Sequence, residues 1–457
     1  MGQIISAINN VVWGVPALIM ILGTGIKLSF ATGFAQLRFF PLAMRSFLQK
    51  LRAPRTDGVS PYQALCTALA ATVGTGNIAG VAGAIALGGP GSIFWMWVCA
   101  IFGMVTKFAE ATLAVHYRNR DGSAGPMYVI EKGLGKRWNW LGKLYCFFGV
   151  VAALGVGNAT QINAVIGGSH DVLQYFGKTG TSTGDLCIGL VAAVILLAVL
   201  LGGAKRIGRF AESLVPFAAV SYLILCLGAL ICTVDRIPGA ISQIFVGAFC
   251  PRAVTGGVLG SAFISLRVGV ARGVFTNEAG MGTAGIAHGA AEVKHPVEQG
   301  LMGIMEVFLD TIVICTMTAL VILCCGVDIP YGTDTGVRLT TGAFAATYGS
   351  WVSIPISLFL CCFAFATMIG WGLYGIRCAQ YLFGKTAWKT FAVIQAVVLV
   401  VSVFLKTETI WALAETVNGL MAIPNLIALW LLCPQLVKLS SRRGNGVVHF
   451  HRIRKST

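Results

Sequence analysis

The sequence predicts an all-α polytopic membrane protein of about eleven transmembrane helices, and three observations predict it. Of 457 residues, 56% are hydrophobic and only 11% are charged, with a mean hydropathy of +0.80, a composition outside the range of soluble globular domains. Apolar runs of roughly 20 residues or more, the length that crosses hydrocarbon, recur along the chain. The 33 lysines and arginines are distributed unevenly about those runs. With the runs taken as alternately crossing, five (Lys178, Arg236, Arg252, Arg338, Lys406) fall on one side and twenty-four on the other, while Lys27, Lys107, Arg267 and Arg272 lie in or beside the runs. This positive-inside pattern predicts an outer N-terminus, a cytoplasmic C-terminus and an odd number of spans. The formal charge of +16 therefore reflects topology, and no nucleic-acid partner is expected.

The runs lie at about 11–31, 61–88, 91–117, 140–167, 186–203, 207–233, 255–290, 299–325, 350–383, 389–405 and 408–433. Met1 to Asn10 carries no charged side chain, so the first run is expected to be a retained helix and not a signal peptide. With its basic cytoplasmic linker it makes an extra segment, 11–60. Spans 2 and 3 are separated only by Gly88-Gly89-Pro90-Gly91, a tight external turn. Between spans 3 and 4, residues 125–135 read as a short amphipathic helix at the membrane surface. The tail, 434–457, is basic and cytoplasmic. Fourteen cysteines are scattered through the runs without the spacing of a metal site or disulfide framework.

Span 2 is organised around Thr-Val-Gly-Thr-Gly-Asn-Ile-Ala-Gly, residues 72–80. Gly74, Gly76, Gly80 and Gly83 put four helix-weakening residues at its middle. Backbone freed there has no partner in lipid, so a broken helix must be buried against protein or line a site. Small-residue helix packing is the competing reading, and Thr75 and Asn77 beside the glycines favour the break. Span 7 repeats the pattern, with Arg267, Arg272, Asn277, Glu278 and His288 among nine glycines. A second interrupted segment five spans after the first predicts two five-helix halves, 61–233 and 255–433, related by an inverted repeat.

A broken helix presents free N–H groups at one half-helix start and free carbonyls at the other half's end. A zwitterionic amino acid suits such a site, and a monovalent cation can share the carbonyls. Span 4 offers Asn158, Gln161 and Asn163, either as ligands or as an interhelical clamp, with Asn158 and Gln161 three apart and so on one helix face. In span 9, Thr367 and Trp371 share a face: the hydroxyl suits a cation and the indole would close over a small side chain, or simply pack. Lys107 and Glu110 are spaced to pair with each other; Glu306 and Asp310 are four apart. Intramembrane charges of this kind mark proton relays or structural pairs, and we favour pairing. His288 reads as a helix-terminal hydrogen bonder. Phosphate-binding loops and His-Glu-x-x-His are absent, so neither an enzyme nor an ATP-driven pump is indicated.

Gly-Thr-Gly-Asn-Ile-Ala-Gly-Val (74–81), Gly-Gly-Pro-Gly-Ser-Ile-Phe-Trp-Met-Trp (88–97), Gly-Met-Val-Thr-Lys-Phe-Ala-Glu (103–110), Gly-Pro-Met-Tyr (125–128) and Asn-Glu-Ala-Gly-Met-Gly-Thr-Ala (277–284) together resemble the bacterial and archaeal alanine/glycine:cation symporters. The match runs in order from about 13 to 433. It implies the leucine-transporter-type fold, with spans 2–6 and 7–11 as the repeats, in a prokaryotic plasma membrane. It also implies sodium-coupled uptake of alanine or glycine, without a resident cofactor. Carried over by position, the resemblance assigns substrate contacts to Thr75, Gly76, Asn77 and Gln161, to Gly273, Phe275, Thr276 and Asn277, and to Met368 and Trp371. The expected sodium set is Thr72, Gly74 and Thr367. One departure bears on the cation: the family often has Ser before the span-9 Thr, and here it is Ala366. A second is Ile376-Arg377 after Tyr374-Gly375, where the family has an acidic residue, a change expected to affect only the cytoplasmic surface. Proton coupling through Glu278, Glu306 or Asp310, and a passive channel, are the alternatives.

Overall fold

A computed structural model describes residues 14–51, 58–251, 255, 261–333, 336–405 and 407–444, and the secondary structure of these residues is helical throughout. Glycines 256, 257 and 260 of the seventh run lie outside the described residues, as do the start of the first run and residues 445–457 of the tail.

The chain opens with α1 (Val15–Ala31) and a surface helix, α2 (Phe40–Leu51). Span 2 is split into α3 (Pro61–Thr72) and α4 (Ala79–Gly88). Ser60 and Gln63 start α3 with reciprocal bonds of 3.1 Å between each side chain and the other's backbone N–H, and Pro61 at the first helical position needs no donor. After Gly89, whose φ of +75° favours glycine, α5 (Gly91–His116) runs through the centre of the molecule. The segment expected to lie on the surface, α6 (Pro126–Gly133), is amphipathic but seats Met127, Val129 and Ile130 in the core.

Next come α7 (Asn139–Leu154), a π-turn (Gly155–Ala159) and α8 (Thr160–Tyr175), followed by α9 (Ser182–Leu200), α10 (Gly203–Cys232) and α11 (Ile237–Phe249). Span 7 is interrupted, as α12 (Ala262–Asn277) and α13 (Thr283–His288). Then α14 (Pro296–Val307) passes through a π-helical stretch (Phe308–Cys315) into α15 (Thr316–Cys324). The chain finishes with α16 (Val337–Tyr348), α17 (Ser353–Phe383), α18 (Ala387–Ser402), α19 (Thr407–Leu431) and α20 (Cys433–Gly444).

Among the described residues six helices are long and apolar enough to cross a membrane: Gly91–His116, Lys136–Tyr175, Ser182–Leu200, Gly203–Cys232, Pro296–Cys324 and Ser350–Phe383. The pair Thr416–Leu431 and Cys433–Ser441 meets the same test together but bends by 59°. The runs at 61–88 and 255–290 fail it because each helix is cut short at its glycines. Those cuts are buried, as hydrocarbon demands.

Close helix approach holds the centre. A β-carbon at Gly303 of α14 would lie 2.8 Å from the Lys107 carbonyl oxygen, and one at Gly269 of α12 would lie 2.3 Å from that of Ser92. Both helices therefore press backbone to backbone against α5, where dispersion and packing, not hydrophobic segregation, drive association in lipid.

Candidate functional site

The first break begins where Val73 turns to extended geometry (φ −76°, ψ 93°) and a 3₁₀ turn, Thr75–Asn77, follows. The Asn77 side chain folds back to accept the Gly74 N–H at 2.9 Å, closing the turn on itself. Its amide nitrogen donates to Asp310 Oδ1 at 2.7 Å and the Asp310 carbonyl at 3.2 Å. Asn77 is thus fully buried and spends its polar capacity on the break and on the π-helical stretch, not on an open site. The first N–H groups of the turn and of α4 precede any intrahelical bond, a positive half-helix end.

The second break is built differently. Helix α12 ends at Glu278, in the left-handed region at φ +52°, with Gly280 at +95° and Gly282 at +77° before α13. A non-glycine residue held there is a strained position of the kind found at functional sites. Glu110 of α5 accepts the N–H groups of Gly280 and Gly282 at 2.9 and 3.0 Å, and Asn425 of α19 donates to the same oxygen at 2.8 Å. The positive end of α13 is therefore already met by a carboxyl group. Asn277 donates to Thr311 at 3.2 Å and accepts the Ala279 N–H, so it bridges the break to the π-helical stretch.

The two breaks meet. A β-carbon at Gly76 would stand 3.2 Å from Thr276 Cγ2 and 3.6 Å from the Phe275 ring. Gly273 packs on Cys99 of α5, and its carbonyl accepts the Thr276 hydroxyl at 2.9 Å. Gln161 comes to the same place, its Oε1 accepting from the Thr75 hydroxyl at 3.4 Å. Asn158 does not share that face: it donates to the Gln395 carbonyl of α18 at 2.8 Å. The π-turn accounts for the difference, because its wider winding rotates Asn158 away from the register a regular helix would give.

From α17, Thr367 sits against the first break. A β-carbon at Gly74 would lie 2.6 Å from Thr367 Oγ1 and 3.9 Å from the Thr72 carbonyl oxygen. The three expected sodium residues thus converge, and hydroxyl and carbonyl oxygens are the donors a hard monovalent cation takes. Trp371 is completely buried, with its Cβ and Cγ pressed on Gly157. Met368 is also buried, its carbonyl accepting from Gln395 at 3.2 Å.

The intramembrane charges pair across helices, not along them. Lys107 bonds Glu306 at 2.8 Å, so the expected Lys107–Glu110 pair is replaced, Glu110 being taken by the second break. Glu306 also meets His288 at 2.8 Å, and the other ring nitrogen of His288 meets Gln299 at 2.7 Å. Glu278 accepts from the Thr283 hydroxyl at 2.6 Å. Sequence spacing missed Asp310 and Glu110 as anchors of the breaks; the available signal was a carboxylate inside an apolar run, which requires a partner. Asn425 and Thr311 carried no such signal. Arg377 does more than alter a surface, since it reaches Ser123 at 3.3 Å and Gln380 at 3.1 Å and so ties the end of α17 to the loop before α6. In that loop the Ser123 N–H holds the Asp121 carboxyl below its usual range.

Three comparisons bear on this architecture. Residues 1–443 match the model of the sodium:alanine symporter family. The sodium/alanine symporter AgcS of Methanococcus maripaludis is 42% identical over 439 residues, 94% of each chain. The probable sodium/glutamine symporter GlnT of Bacillus subtilis is 37% identical over 439 residues, covering 94% of this chain and 88% of that one. The crystal structure of MhsT in complex with L-phenylalanine superposes with a TM-score of 0.60 at 14% identity, over 85% of this chain and 99% of that one. That likeness shows the leucine-transporter-type fold.

Proposed function

The chain belongs to the sodium:alanine symporter family, and from that premise we propose that it couples the sodium gradient to import of alanine or glycine by alternating access. The observation that carries the reading is the opposed polarity of two breaks that touch at Gly76 and Thr276. At the first, the turn is closed from within by Asn77; at the second, a carboxyl group from α5 already accepts the Gly280 and Gly282 N–H groups. A zwitterion placed between them sends its carboxylate to the Thr75–Gly76 N–H groups and its ammonium to the carbonyls ending α12 at Phe275, Thr276 and Asn277. Gln161 orients Thr75, while Gly273 lets α12 approach α5. Trp371 and Met368 limit the side chain to the size of a methyl group or less.

Sodium binds beside Gly74, with the Thr72 carbonyl and the Thr367 hydroxyl among its oxygens. Ala366 supplies no second hydroxyl, so main-chain carbonyls complete the shell. Eleven crossings place the N-terminus outside, with residues 61–233 and 255–433 as inverted halves rocking about the breaks. The side chains of Asn77 and Asn277 hold the broken segments to the π-helical stretch and so position the backbone groups that meet the cargo.

The test is uptake of labelled alanine and glycine by proteoliposomes under an inward sodium gradient, with a potassium control and a separate proton gradient. Accumulation with sodium alone is expected. Accumulation driven by protons alone would move the coupling to the buried acids and overturn the sodium reading.

A further inference from the structure

On the face opposite the basic one, a cleft of about 790 Å³ opens between the end of α8, helix α16 and the start of α17. Asp171 and Tyr175 of α8 line one wall, Arg338 and Thr341 of α16 another, with Ser353 at the start of α17. Among the described residues, neither the Asp171 carboxylate nor the Arg338 guanidinium has an ion-pair partner within 4.0 Å. Two opposite charges on separate elements, kept apart by a cleft, form a fixed dipole. Such a pair attracts and orients a molecule that carries both charges itself.

The wall bearing Arg338 is joined to the transport site. Thr340, completely buried on α16, donates to the Ile78 carbonyl at 3.1 Å. Ile78 is the residue at which the first break returns to helix. The loop before α16 is fixed to the same half-helix, with Gly332 N–H donating to the Ala86 carbonyl at 2.9 Å. Below the cleft, Gly168 of α8 packs on Ser357 and Leu360 of α17.

We propose that this cleft is an outer binding site for zwitterionic α-amino acids, with Arg338 receiving the carboxylate and Asp171 the ammonium before the molecule passes to the breaks. The proposal rests on the transport reading above and on its orientation, which puts the cleft outside the cell. The cleft is many times larger than alanine and is not closed around a side chain, so it sorts by charge pattern; size is sorted deeper, at Trp371. Larger neutral amino acids therefore compete at the cleft without being carried.

The experiment measures sodium-driven alanine uptake by right-side-out and inside-out vesicles carrying the wild type, Asp171→Asn, Arg338→Gln, or the reversed pair Asp171→Arg with Arg338→Asp. For each single variant the outer-face KM should rise about two- to fivefold, the range of one exposed charge contact. The inner-face KM and the maximal rate should stay at wild-type values, which a misfolded variant could not achieve. Added choline chloride should raise the outer KM of the wild type and leave the variants flat. An outer KM unchanged in all variants, or one that rises equally on both faces, overturns the cleft while leaving the transport reading intact. Wild-type vesicles that fail to accumulate alanine under a sodium gradient overturn the transport reading and the cleft with it.

Discussion

The two breaks solve one problem, loss of helix inside a membrane protein, by opposite means. At the first, an amide from the broken segment itself closes the turn, Asn77 accepting the Gly74 N–H, and only the outer side of that amide reaches another helix. At the second, the closing group is a carboxyl group from another helix, Glu110, helped by Asn425. A turn sealed by its own neutral side chain leaves its helix dipole free to act on cargo, whereas one sealed by a carboxyl group has its positive end already occupied. Two similar glycine-rich segments thereby become unlike poles, which is the basis for the proposal that a zwitterion lies between them in one orientation.

The sharpest way to break the comparison is to fill the contact between the poles. Gly76→Val should abolish uptake, because even the first added carbon would stand 3.2 Å from Thr276 Cγ2; an overpacking cost of about 1–3 kcal/mol should still leave folded protein. Retained transport at normal expression would show that the breaks do not meet around cargo. Next in size, Glu110→Gln weakens the cap on the start of α13. It should cost about 1.5–3 kcal/mol in thermal unfolding, as for loss of charge-assisted bonds, and raise the alanine KM by at least tenfold, since the carboxylate then faces two positive ends. A variant that loses stability but keeps its KM would confine Glu110 to support.

Smaller effects sharpen the picture. Thr367→Val keeps the shape beside Gly74 and removes one oxygen, so sodium affinity should fall about tenfold, some 1.4 kcal/mol, while alanine affinity at saturating sodium stays near wild type. Equal losses in both would place the hydroxyl on the substrate. Trp371→Ala, the mildest for alanine itself, should admit larger neutral side chains, with discrimination of about 1–3 kcal/mol per methylene relaxed. Unchanged selectivity in competition assays would reduce Trp371 to packing on Gly157.

Much of this was legible in residue order, and the limits are physical. Glycine costs helix wherever it stands, so the break at 72–80 and an interruption of the run at 255–290 could be read from sequence alone; the second break falls after Asn277, beyond the stretch between Arg272 and Glu278 where the sequence suggested it. Gln161 meets Thr75, Thr276 lies against Gly76 and Thr367 against Gly74, so these residues gather at the first break. What could not be read was which polar group answers which. Spacing within one helix favoured Lys107 with Glu110, yet three-dimensional packing gave Lys107 to Glu306 and Glu110 to the second break. Asn158 and Gln161 fell on different faces because the π-turn between Gly155 and Ala159 alters the helical phase, and no propensity marks a π-turn. Thr340 is one hydroxyl in a short outer helix; only the fold brings it to the Ile78 carbonyl.

The central claim, that sodium and amino acid occupy adjoining parts of one site, is tested most directly by equilibrium binding to the purified protein. Labelled alanine is titrated at a series of sodium concentrations, and sodium binding is measured with and without alanine. Linkage requires the two effects to be equal: sodium should tighten alanine by some factor, and alanine should tighten sodium by the same factor, with both effects diminished in Thr367→Val. Alanine binding that is indifferent to sodium would contradict the account.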